Sequence, residues 1–197
     1  MALRMLIAIL VGTVLAFGWG AVSWTSGMYD FAFKPLPDGA AVAAGIDSSV
    51  TADGAYLYPA PPATAGLSPQ QATIANDTYV AEHRHGPVLM ALVRREGVDP
   101  MSPTVLARGF VIELFGTALL AAIIAVACKF GARTQDRLAL AVAIPAFAML
   151  SSHAVTWNFF HLPDLYSIVL FADGMAAWTL AGIACALIIR PEGKTKA

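Results

Sequence analysis

Residues 157–194 read WNFFHLPDLYSIVLFADGMAAWTLAGIACALIIRPEGK, and their interpretation decides the architecture. From Leu165 to Ile189 the stretch is long and apolar enough to cross about 30 Å of hydrocarbon at 1.5 Å per helical residue. Asp173 stands well inside it. An acid at that depth is expensive unless it points at other helices or at water. The direction in which Asp173 points is therefore the first question.

Composition favours the membrane. Of 197 residues, 58% are hydrophobic and only 13% charged, and mean hydropathy is +0.67. A soluble domain carries about a quarter charged residues. The net charge of −1 gives no general attraction to nucleic acid. Cys128 and Cys185 lie at the ends of apolar segments without CxxC spacing, which makes them buried inert thiols rather than a zinc or redox pair.

Three more runs are long enough to span, so the expected layout is 5–24, 105–128, 138–157 and 165–189. The fold class expected is a mainly α membrane protein. Its four-helix transmembrane bundle carries a small α+β extracytoplasmic domain, residues 25–104, between helices 1 and 2. The first run follows Arg4 like a signal peptide. Its length, and the poor small-x-small site in GWGAVSW, favour an uncleaved anchor instead.

Basic residues set the orientation. Lys129, Arg133 and Arg137 crowd the loop after span two, Arg4 precedes span one, and Arg190, Lys194 and Lys196 follow span four. With four spans these places share one side, which the positive-inside rule makes cytoplasmic. Both termini are then cytoplasmic, and the long segment faces outward.

Within that segment Pro37-Asp38-Gly39 signals a turn, AAVAAGID a short helix and GAYLYP a strand ended by Pro59. Ser68-Pro69 caps a helix through QQATIANDTYVAEHRH, GPVLMALVRREG supplies a second strand, and Ser102-Pro103 repeats the cap signal. About eighty residues with few large apolar side chains make a thin core. Such a domain is expected to lean on the membrane surface or on a partner. His83 and His85 read as helix-terminal residues, not metal ligands, because i,i+2 side chains diverge on a helix. No cofactor, metal site or catalytic group is expected, and Arg84, Arg94 and Arg95 are too balanced by acids to bind nucleic acid.

The spans carry small residues at four-residue spacing: Ala8, Gly12, Ala16 and Gly20; Gly109, Glu113, Thr117, Ala121 and Ala125; Asp173, Ala177 and Ala181 with Ala184. Such stripes let helices approach closely, and both intramembrane acids lie on them. Glu113 is expected about 6 Å below the outer interface and His153 at the same level, with Asp173 about one turn deeper. Together with Ser151 and Ser152 they form a candidate polar cluster, to which His161 and Asp164 in the outer loop could contribute. Two readings stay open: a group that handles a proton, a cation or a small polar ligand, or hydrogen-bonded glue between helices. The glue reading is favoured, since a metal site needs more ligands than these.

WGAVSW at the end of span one, GAYLYP, the Gly-Pro of GPVLMALVRREG and the ending WNFFHLPDLYSIVLFADGMAAWTLAG resemble a group of uncharacterised small bacterial inner-membrane proteins. Members have four transmembrane helices and one external domain. The resemblance implies the four-span layout and a shared pattern at Asp173, Trp178 and Gly182, with no substrate, cofactor or reaction. It breaks after span one, where WTSGMYDF stands in place of a proline-tryptophan-histidine element. The function expected is an accessory or assembly subunit of a membrane complex, with a protein partner or a second copy of the chain. The alternative is an oligomeric proton- or cation-coupled transport module using Glu113, His153 and Asp173. A membrane enzyme is less favoured.

Overall fold

The computed structural model describes residues 2–191; Lys194 and Lys196 of the orientation argument lie outside the described residues. The described residues are mainly helical, with four helical rods long and apolar enough to cross a membrane and one small sheet among them. It divides into two compact units, 35–98 and the remainder.

The larger unit holds the rods. Helix α1 runs Ala2–Thr25 and is followed by a 3₁₀ turn, Met28–Phe31. Helix α4 runs Pro103–Lys129 and starts where expected, at a Ser102 side chain that accepts from the Val105 N–H, with proline at the first helical position. The third rod is composite: α5, Thr134–Met149, a π-helical turn, Leu150–Ala154, and α6, Val155–Phe160. His161 closes it in the left-handed conformation, at φ 51°. Helix α7 is Asp164–Ile188.

Small residues make the interior and large apolar ones the exterior. Ala8, Ala121, Ala141, Ala181 and Cys185 are fully buried, whereas Leu3, Phe115, Leu119 and Phe147 are largely exposed. A bundle folded by water would reverse this order. Helix α7 is the hub, packing broadly on α1 and α5 and more narrowly on α4, while α1 also packs on α4. A Cβ added to Gly12 would stand 2.7 Å from the Thr117 methyl, and one at Gly116 would overlap the Trp178 ring.

A carbonyl freed by a proline lies at the α5–α7 contact. Pro145 lies inside α5 and has no N–H for the Ala141 carbonyl one turn back. That carbonyl faces Gly182, where a Cβ would lie 2.9 Å from its oxygen. Arg137 fastens the same pair of helices. It is 3% exposed, and its guanidinium donates to the Ala186 carbonyl at 3.0 Å, the Ala132 carbonyl at 3.0 Å and the Thr134 hydroxyl at 3.1 Å. Ala186 is in the last turn of α7, whose carbonyls lack helical donors. Arg137, taken from the sequence only as a topological signal, is thus also a helix clasp. The two thiols are buried as expected, Cys128 against the Ile189 carbonyl and Cys185 against the Ala8 carbonyl, each at 3.8 Å.

The smaller unit contains α2, Gly39–Ser49, β1, Gly54–Tyr58, α3, Pro69–His85, and β2, Leu89–Val93. The strands pair antiparallel with Tyr56 opposite Ala91. Ser68 and Gln71 form a reciprocal capping box at the start of α3. Arg95 joins α2 to the sheet, donating to Asp47 at 2.7 Å and to the Thr51 carbonyl at 3.2 Å. The unit has almost no interior: Pro59 is its one buried residue among those described.

Candidate functional site: the Asp173 node

Asp173 points at protein. Its Oδ1 accepts the Trp19 indole N–H at 2.8 Å, and its Oδ2 accepts the Tyr29 hydroxyl at 2.7 Å. Three elements meet here: α7 supplies the acid, α1 the indole, and the 3₁₀ turn the phenol. Gly27 makes the turn possible, holding φ 79°, a conformation open chiefly to glycine. Tyr29 then stacks on Trp24 with ring centroids 4.0 Å apart, and Phe33 continues the stack and meets Tyr166 edge-on at 5.5 Å. Burial, and after it the bond to Asp173, holds the Tyr29 phenol above the ordinary tyrosine range. Each donor thus reaches its own carboxylate oxygen.

Glu113 lies on α4 with its Oε2 buried and without a hydrogen-bond partner, and the Thr117 hydroxyl one turn along is in the same state. Both belong to the small-residue stripe of α4, so this acid also faces inward.

His153 lies in the π-helical turn of the third rod. Among the described residues no hydrogen bond or ion pair joins Glu113, His153 and Asp173. A hairpin of spans two and three would have paired Glu113 with His153, but the third rod packs on α7 and touches α4 only sparsely. The faces of α7 differ accordingly. Gly174 and Gly182 face Met149 and Ala141 of α5, while Ala181 faces Gly12 of α1. His153 lines a groove of about 470 Å³ with Ala154, Trp157, Asp164, Ser167, Ile168, Phe171 and Ala172. Ser151 and Ser152 are exposed and bond back to the Ala148 carbonyl. Asp164 accepts the Trp157 indole N–H at 2.9 Å. His161 and Asp164 line a smaller hollow with Trp157, Asn158 and Leu162. His83 packs on the Tyr79 ring at the end of α3, 4.3 Å between centroids. Among the described residues no group of three His, Cys, Asp or Glu side chains could hold a metal ion.

The sequence pointed to Asp173, but not to Tyr29. That residue lies in WTSGMYDF, where the family resemblance breaks. The signal available was Gly27, a turn former between the end of an apolar run and an aromatic cluster. No family model, curated protein or solved structure matches the chain.

Proposed function

We propose that the chain is an integral protein of a bacterial inner membrane, serving as an accessory or assembly subunit of a larger complex. Its termini are cytoplasmic and the segment 25–104 faces outward, the arrangement that the distribution of basic residues favours. The group of small four-span proteins that the sequence resembles is its proposed family.

One observation carries the subunit reading. The unit 35–98 leaves Leu36, Tyr58, Ile74, Leu89 and Leu92 exposed, Leu92 at 77%. A folded unit with so little interior needs an external surface to cover it. The two-stranded sheet has both outer edges open, and open edges recruit strands from other chains. Ala8, Gly12 and Ala16 of α1 are buried inside the bundle, so that stripe offers no surface to a partner.

Native-level tagging, extraction in mild detergent and native mass spectrometry test the proposal. A stoichiometric partner lost on Leu89→Asp with Leu92→Asp supports it; monomer alone at native expression refutes it.

The second reading, a proton- or cation-coupled module, is favoured by the unpartnered Glu113 carboxylate and Thr117 hydroxyl. Asp173 contributes less to it, since both its oxygens are already engaged. Unchanged flux in vesicles containing Glu113→Gln would end this reading.

A further inference from the structure

The groove beside His153 has a construction the subunit reading does not use. We propose that it binds one zwitterionic phospholipid whose headgroup ends in a primary ammonium. The inference rests on the membrane placement proposed above.

The groove lies between the third rod and α7, starting at the first residue of α7 and running along it from Asp164 to Ala172. Eight helical rises correspond to about 12 Å, the depth of a glycerol backbone and the first acyl methylenes. Toward the Ala172 end the lining is apolar, Ile168, Phe171, Ala172 and Ala154, with His153 beside them, and the end at the loop carries Asp164, Ser167 and Trp157. An amphiphile with a head at one end and a chain at the other matches that division.

The polar groups are available. The Ser167 hydroxyl is buried without a partner. His153 makes no side-chain hydrogen bond among the described residues, and Asp164 engages only Oδ1, with Trp157. The Ser167 hydroxyl can donate to a phosphate oxygen and the imidazole, deeper in the groove, to an ester carbonyl, while the second Asp164 oxygen can accept from an ammonium in a charge-assisted bond. A trimethylammonium has no N–H to donate. An anionic headgroup would meet Asp164 with no Lys or Arg in the lining; Lys34 lines the adjoining hollow on the Tyr166 side. The indole of Trp157 suits a headgroup-level position.

The π-helical turn builds the groove. One wide turn at Leu150–Ala154 shifts every later residue of the rod by one place relative to a regular α-helix. Ala154 and Trp157 thereby reach the α7 side. Turns of this kind recur at binding sites.

The test uses the full chain, reconstituted separately in vesicles of phosphatidylethanolamine, phosphatidylcholine or phosphatidylglycerol. It is then re-extracted, and retained lipid is counted by native mass spectrometry. Wild type is expected to retain one phosphatidylethanolamine, about tenfold in preference to phosphatidylcholine, the size of one charge-assisted bond. Ala172→Trp, which fills the groove, is expected to abolish retention. Asp164→Asn, which keeps an acceptor for Trp157, is expected to erase the headgroup preference. Ser167→Ala provides a milder variant should Ala172→Trp fail to fold, and is expected to weaken retention. Equal retention of all three lipids, or retention unaffected by Ala172→Trp and Ser167→Ala in folded protein, overturns the proposal. Recovery of the native chain in the soluble fraction after alkaline extraction would instead overturn the membrane placement beneath it.

Discussion

Replacing Asp173 by alanine removes the acceptor of two donors at once. The Trp19 N–H and the Tyr29 O–H bond to different carboxylate oxygens at 2.8 and 2.7 Å. Alanine can replace neither bond, and both sites are partly buried. An orphaned donor costs about 1–3 kcal/mol, while contacts between membrane helices average about 0.6 kcal/mol. Two orphans at an intermediate depth give about 2–4 kcal/mol for Asp173→Ala. Asparagine behaves differently. Its carbonyl oxygen can still accept the indole, and the Tyr29 hydroxyl can turn its proton away and accept from the new amide. About 1 kcal/mol is expected for Asp173→Asn, mostly from the lost charge. The assay is reversible unfolding in mixed detergent micelles, followed by tryptophan fluorescence or circular dichroism, with a double-mutant cycle of Asp173→Ala against Trp19→Phe. A coupling energy of about 1 kcal/mol is expected. If Asp173→Ala and Asp173→Asn destabilise equally, or if the cycle is additive, Asp173 is not the tie between α1 and α7 described above.

Three further outcomes follow from the same geometry. Gly182→Leu is expected to destabilise the bundle by about 2 kcal/mol or more through overpacking against Ala141, whereas Gly18→Leu, with nothing within 4 Å of the added carbon, is expected to leave the same unfolding midpoint unchanged. Arg137→Ala should cost about 3 kcal/mol by freeing the Ala186 and Ala132 carbonyls. Arg137→Lys should recover part of that, since an ammonium cannot span all three acceptors, as thermal melts of the purified chain would show. The raised Tyr29 pKa means that the folded protein holds the phenolic proton more tightly than the unfolded chain. The resulting stabilisation is complete below the ordinary tyrosine pKa of about 10 and declines as pH rises above it. Melting temperatures at pH 8 and pH 11 should therefore diverge more for wild type than for Tyr29→Phe.

How much of this was legible in the sequence depended on the range of the interaction. The apolar runs, the Ser68 and Ser102 caps, the GAYLYP strand and the inward-facing stripes are local patterns, fixed by the periods of helix and strand and by the chemistry of helix ends. Stripe composition also told which way Asp173 and Glu113 point, because small residues mark the faces where helices approach. Partners were another matter. That Asp173 meets Tyr29 depends on a glycine-centred turn that folds the chain back over the end of α1. That His153 is not bonded to Glu113 depends on α5 choosing α7, through the Ala141 carbonyl freed by Pro145 and the bare backbone of Gly182. Arg137 reads as one more cytoplasmic cation until the last turn of α7 arrives beside it. Sequence periodicity determines which face of each helix turns inward, since that follows from the residues of one helix alone. Which helix meets which is decided only when all four compete for a few close contacts, and those contacts are long-range by nature.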